Sequence, residues 1–197
     1  NRNLPKSEIG FDKIIKFHKV AFKYEGGQDV VLTDVNLQIR AGDVIGIIGE
    51  SGGGKSTFAD LLLGLLIPTN GEITIDDQIL SVKNVDSWQE KVSFTEQGIT
   101  LIDASVIENV SFFESKKSVD VERILICLKK ASFPKNIDPL KKIGENGESL
   151  SGGQRQRLSI ARGLYKEAKL YLFDEVTSSL DEDTEHRVMS NLKDSMK

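Results

Sequence analysis

Residues 44–57 read VIGIIGESGGGKST. The five residues Val44–Ile48 form an apolar run of the kind a buried strand gives. Gly49 to Thr57 then fits the pattern G-x-x-x-x-G-K-[ST], with Gly49, Gly54, Lys55 and Ser56 in its fixed places. The physics of phosphate binding calls for these types. Glycines let successive amides turn inward without side chains in the way, so Glu50, Ser51, Gly52 and Gly53 contribute backbone N–H groups. A helix starting at Lys55 adds its positive N-terminal end. Lys55 supplies a charge for the terminal phosphates of a nucleotide. The Ser56 hydroxyl suits Mg²⁺, and Thr57 continues into the helix, which is predicted to run to Leu66 and stop near Pro68.

On either side of this loop the pattern alternates between strands and helices. Ile14–Phe22 and Val30–Ile39 read as strands, with a turn at Ala41-Gly42-Asp43. Glu72–Ile75 and Lys91–Phe94 are short strand candidates. From Ser105 to Ala131 helical spacing dominates, with Val121, Ile124, Leu125 and Leu128 at i, i+3, i+4 and i+7. Residues from about 99 to 165 therefore read as a helical lobe. A strand returns at Leu170–Phe173 and a last helix starts near Glu182. Strands that feed helices, with a helical insertion, indicate an α/β fold.

Composition narrows the partners. The chain has 197 residues, 39% of them hydrophobic, which suits one domain with a sizeable core. A net charge of −4, from 26 basic and 30 acidic residues, gives no global pull toward nucleic acid or an anionic surface. Any anion site must be local. The single cysteine, Cys127, has no internal disulfide partner, and its apolar helical neighbours point to a buried thiol. The most apolar run, Ala59–Ile67, is too short to span a bilayer, which takes about 20 residues.

Two further stretches carry chemistry. LYLFDE, Leu170–Glu175, ends an apolar strand in two acids, where open α/β sheets place ligand groups. With a phosphate loop upstream, Asp174 is suited to hold Mg²⁺ and Glu175 to orient or deprotonate an attacking water. GENGESLSGGQRQR, residues 144–157, sets a small-residue turn before a helix. Ser151 to Gln154 fits a capping box. Gly152 and Gly153 are expected to leave the first-turn amides bare, which makes a second candidate anion site. One nucleotide has one triphosphate tail. Two sites imply either two ligands or two halves that meet across a dimer, and the residues alone leave both open.

Taken in order, GESGGGKST, LSGGQ (Leu150–Gln154) and LYLFDE resemble the nucleotide-binding domain of an ABC ATPase, across nearly the whole chain. LSGGQ is the most specific of the three. The resemblance implies a P-loop ATPase core, an N-terminal antiparallel β lobe and an inserted helical lobe. It implies a head-to-tail dimer in which Ser151, Gly152, Gly153 and Gln154 of one domain close over ATP held by the other. It makes Tyr24 the aromatic that stacks on adenine. It makes Gln97 the glutamine that senses Mg²⁺ and the γ-phosphate, although Glu96 replaces the usual proline. Ser179-Leu180-Asp181 matches the D-loop. The switch histidine of the family has no match before Lys197. Residues 13–197 are thus expected to be a C-terminally incomplete ATP-binding domain with apolar sheet edges left uncovered. His186 and His18 are read as surface and strand residues without a role in the chemistry.

IDASVIENVSF (Ile102–Phe112) and IGENGESLSGGQ resemble ABC exporters. That implies contact between Gly144–Gly147 and a transmembrane domain, preceding in the same chain and joined by a linker at residues 1–12. ADLLLGLLIPTNGEITID further resembles lipid and lipid-linked oligosaccharide flippases. The leading expectation is an ATPase that powers export of a lipid or other amphiphile from the cytoplasmic face of the inner membrane. The alternatives are an importer ATPase subunit and a soluble ABC switch protein acting on nucleic acid or ribosomes. The negative charge and exporter-like loops speak against the last, and no nucleic-acid partner is expected.

Overall fold

The computed structural model describes residues 7–27, 29–96, 98–112 and 119–195. It divides into two compact units, Asn1–Val92 and Ser93–Lys197.

The first unit is built on a four-stranded antiparallel sheet. Strands β1 (Ile14–Phe22), β2 (Leu32–Arg40), β3 (Asn70–Ile75) and β4 (Gln78–Ile79) are ordered β2-β1-β3-β4. This is the expected antiparallel β lobe. β1 alternates cleanly at its start, and Ile15, Phe17, Val20 and Phe22 are buried. Two helices accompany the sheet, α1 (Lys55–Leu62) and α2 (Val85–Glu90). Phe58 of α1 stacks on Phe17 at 4.8 Å. The indole of Trp88 is fully buried and donates to the Leu62 carbonyl at 2.7 Å.

Helix α1 is shorter than its apolar run suggested. Gly64 takes φ +70°, its amide bonds to Leu61 O, and the Leu65 amide bonds to Asp60 O. That pair of bonds is a Schellman stop, so Leu65 and Leu66 lie beyond the helix.

Val44–Ile48 departs further from expectation. It forms no strand, and Val44, Ile45, Ile47 and Ile48 are exposed, Ile48 at 95%. An apolar run becomes a strand only when neighbours accept its backbone groups, and among the described residues none does so. Apolar surface is thus left uncovered on a segment whose composition predicts a buried strand.

The β3–β4 hairpin shows how one residue serves two purposes. Asp76 and Asp77 both have positive φ, as a two-residue hairpin turn requires. The Asp76 carboxylate also accepts from the amides of Asp12, Lys13 and Ile14 at 2.5–2.9 Å. Partial burial pulls its pKa upward, but these three amides and the Lys13 charge outweigh that and hold it below the ordinary 3.8. Replacing Asp76 by Ala is expected to cost about 1–2 kcal/mol in urea unfolding, by leaving three donors without their acceptor. A depressed folded pKa means the stabilisation is complete above the ordinary carboxylate value. It is lost as pH falls through the lowered one. The stability difference between parent and variant should therefore shrink below about pH 4.

The second unit holds a two-stranded sheet of β5 (Val92–Thr95, whose first residue closes the preceding unit) and β6 (Leu170–Phe173). Around it lie helices α3 (Val106–Val110), α4 (Val121–Lys130), α5 (Gly152–Tyr165) and α6 (Glu182–Ser195). Its core joins Val106, Val110, Ile124, Leu128, Leu158, Ile160, Val188 and Leu192, with Cys127 buried among them as expected. Burial also raises the Cys127 thiol pKa, which keeps it unreactive. Helix α5 is central. A Cβ on its Gly163 would lie 2.4 Å from Thr95 Oγ1, so the absence of a side chain lets α5 lie close on β5.

Candidate functional site

The phosphate loop belongs to the first unit. Gly52 and Gly54 have φ of +80° and +85°, and a Cβ on Gly54 would approach Leu32 Cδ2 to 3.0 Å. Glycine at 54 is thus required twice, by backbone conformation and by the nearness of β2. Gly54 is also the N-cap of α1, with no side-chain cap bond. The first-turn amides are left to a ligand. Residues 49–53 are exposed. Lys55 Nζ folds back over them and donates to the carbonyls of Gly49 and Glu50 at 2.8 and 2.7 Å. The ammonium therefore sits over the loop rather than in solvent. Bare amides, glycines with positive φ and a tethered ammonium fit a triphosphate.

Tyr24 lies next to this loop. The residue is 44% exposed, its ring packs edge-on against Phe22 at 4.9 Å, and its hydroxyl is 3.0 Å from Thr57 Oγ1. An exposed aromatic tied to the phosphate-loop helix is placed to offer a face to a base. Thr57 itself is buried, and no sequence pattern announced its bond to Tyr24.

The acids and the LSGGQ helix belong to the second unit. Asp174 and Glu175 follow β6 directly and are exposed, with the Asp174 amide bonded to Thr95 O at 2.9 Å. Glu175 has φ +47°, a sparsely populated conformation for a residue with a side chain, of the kind that collects at functional sites. Ser56 and Asp174 offer oxygen ligands of the type Mg²⁺ takes. Among the described residues no three His, Cys, Asp or Glu side chains cluster as a metal cage. Gln97 lies outside the described residues.

At α5 the capping box is complete. The Gln154 amide donates to Ser151 Oγ at 3.2 Å, and the Ser151 amide to Gln154 Oε1 at 2.8 Å. The two glycines do different things. A Cβ on Gly152 would meet only Ser179 Cβ, at 3.9 Å. One on Gly153 would press on Ser179 O at 3.1 Å, so Gly153 serves the packing of the 179–181 segment as well as baring an amide. Gln156 holds that segment from the next turn, accepting from the Ser179 amide and donating to Ser178 Oγ, both at 3.0 Å. Asp181 then caps α6 through the Thr184 amide, and the bonds from Thr184 hold its carboxyl below the ordinary value. His186 is exposed on α6 and His18 lies on β1, as read.

The model of a family described as ABC transporter matches residues 32–178. The alpha-hemolysin translocation ATP-binding protein HlyB of Escherichia coli is 38% identical over 183 residues, 90% of this chain and 26% of that protein. The leukotoxin translocation ATP-binding protein LktB of Mannheimia haemolytica is 38% identical over 184 residues, 91% of this chain and 26% of its own length. The chain thus spans about a quarter of the length of these relatives. The solved structure of a bacterial Atm1-family ABC exporter with ATP bound superposes with a TM-score of 0.83 at 28% identity, over 100% of this chain and 35% of the other. Phosphate loop, LSGGQ helix and acid-tipped strand lie in an α/β fold shared with these proteins, and the chain belongs to the ABC transporter family as an ATP-binding domain of the ABC type.

Proposed function

We propose that this domain binds and hydrolyses Mg-ATP to power export through a membrane-embedded partner, with two such domains paired head to tail. The observation that carries the reading is the pair of helix N-termini. The α1 end has no side-chain cap, while α5 bares its Gly152 amide beside a capping serine. In the pairing, Gly49–Thr57 and Tyr24 hold ATP, and Ser56, Asp174 and Gln97 supply ligands to Mg²⁺. Mg²⁺ bound there would neutralise charge on the terminal phosphates. Glu175 takes the proton of the attacking water. Ser151 to Gln154 of the second domain close on the γ-phosphate.

The membrane half is proposed to precede residues 1–12 in the same chain and to touch Gly144–Gly147 and Gln97, with residues 99–165 as the helical lobe. No helix of the described residues is long and apolar enough to cross a membrane. In the first unit, Gly64–Pro68, Leu80–Val82 and Val85 line a largely apolar cavity of about 210 Å³, and Leu65, Ile67 and Val82 are each more than half exposed. Such a patch suits an apolar helix end of that half. The domain would then sit at the cytoplasmic face. Two relatives are named for translocation of toxins and the solved structure is an exporter, which favours export over import. Their names make a toxin-like cargo the leading reading. The flippase-like run from Ala59 to Asp76 keeps a lipid or amphiphile as the second.

The head-to-tail pairing has a direct test in the full-length protein. Ser151→Arg should leave ATP affinity within about twofold while turnover falls about a hundredfold, as expected when groups acting on a transition state are blocked. Mixing Ser151→Arg subunits with Lys55→Ala subunits should restore one intact site per dimer, read as one trapped nucleotide. If no nucleotide is trapped in the mixture, the LSGGQ helix acts on its own domain's nucleotide and the pairing is wrong.

A further inference from the structure

The second unit contains a polar hub that the proposed chemistry does not use. Arg162, near the end of α5, is half-buried and points its guanidinium at neutral amide oxygens. Nε donates to Asn109 O at 2.8 Å, Nη1 to Thr100 O at 3.0 Å and Nη2 to Asn109 Oδ1 at 3.3 Å. The guanidinium also lies over the Phe112 ring, 5.1 Å from its centroid. Burial pulls its pKa down, so holding a charge here is costly unless its donors are used. Asn109 is fully buried and relays the grip. Its Nδ2 donates to Ile102 O and Ser105 O, and its Oδ1 accepts from the Ile102 amide, at 3.0–3.1 Å. Arg162 and Asn109 together clasp the loop 100–105.

That loop is in turn joined to the turn before Ser151. The Ile143 amide donates to Ala104 O at 3.0 Å, and Ser105 bridges to Lys142. Leu101 is buried against Gly147, where a Cβ would come within 2.5 Å of Leu101 Cδ1. Arg155 closes the circuit from α5, donating to Leu150 O at 2.8 Å. The loop 100–105, the turn 144–150 and both ends of α5 thus form one connected block. An arginine fork anchored on carbonyls is stiff, because its planar donors have one geometry that satisfies them all.

We infer that Arg162 is a positioning residue, which sets the place of Ser151 by holding the loop 100–105 against the turn 144–150. The inference rests on the reading that Ser151 acts on a partner's nucleotide. Lysine at 162 keeps the charge but loses the fork, so the loop gains freedom while the helix is retained. The turn then no longer holds Ser151 in one place relative to the opposing phosphate.

The test is a double-mutant cycle on ATP turnover by the full-length transporter in lipid nanodiscs. Arg162→Lys alone should leave ATP affinity within about twofold and lower kcat about tenfold. In a Ser151→Ala background the same change should cost less than about twofold, since there is no hydroxyl left to misplace. A purely structural role would give equal losses in both backgrounds, and that result overturns the inference. Unchanged kcat for Arg162→Lys overturns it too. If Ser151→Ala alone is harmless, the signature reading fails, and the positioning role falls with it. Should Arg162→Lys fail to fold, Leu101→Ala breaks the same circuit at the Gly147 contact. It is expected to show the same non-additivity with Ser151→Ala, and additivity there counts against the inference.

Discussion

Replacing Lys55 by Ala is expected to lower Mg-ATP affinity about a hundredfold, measured by calorimetric titration. The estimate follows from losing charge-assisted bonds to the terminal phosphates, each worth about 1.5–3 kcal/mol, and from about 1.4 kcal/mol for every tenfold in affinity. The structure adds a reason for a large effect. Lys55 Nζ is already over the loop, tethered to the carbonyls of Gly49 and Glu50, so little side-chain freedom is lost when phosphate arrives. Arginine should not rescue binding, because its planar fork does not replace a compact ammonium above a ring of amides. The loop is exposed and the lysine half-buried, so thermal stability should change by less than about 1 kcal/mol. Parent-like binding by Lys55→Ala would remove the phosphate-loop assignment, and with it the site.

Glu175→Gln is expected to have the largest effect on turnover. A positioned general base typically contributes about 10²–10⁴ in rate. The glutamine keeps the shape and a hydrogen-bonding oxygen but takes no proton at neutral pH. Steady-state ATPase of the full-length protein should fall by about that factor, while ATP still binds and the paired state accumulates, readable as a trapped nucleotide per site. The backbone supplies a control. Glu175 already holds a left-handed φ of 47°, and glutamine bears the same conformational cost. Stability should therefore stay within about 0.5 kcal/mol of the parent. Unchanged ATPase would remove Glu175 from the chemistry and leave its strained backbone as a feature of the turn alone.

Much of this was legible because short-range rules dominate where it occurs. β1 and β2 follow from β-branched and aromatic alternation, and the structure places them within about two residues of the expectation. Ser151 and Gln154 form their box because both partners lie within one turn. Cys127 is buried because its helical spacing puts it on the same side as Ile124 and Leu128. Where expectation and structure part, a longer-range or stereochemical term decided. α1 ends at Leu62 rather than Leu66, because Gly64 adopts a left-handed conformation that the five leucines around it conceal. Val44–Ile48 has the composition of a core strand, but a ladder needs neighbours as well as composition.

The sequence by itself determined the local chemistry: which residues bare their amides, which carry a proton acceptor at the end of a strand, and where a helix is capped. Those properties depend on residues a few positions apart and on side-chain types, so they survive in the one-dimensional pattern. Only the tertiary structure showed that Asp76 gathers the amides of Asp12, Lys13 and Ile14, that Gly153 is needed for Ser179, and that Arg162 clasps Thr100 and Asn109. These pairings join residues 26 to 64 positions apart. An aspartate, a glycine or an arginine looks the same in sequence whether or not an acceptor, a carbonyl or a loop waits for it, because only folding sets what stands within hydrogen-bond reach.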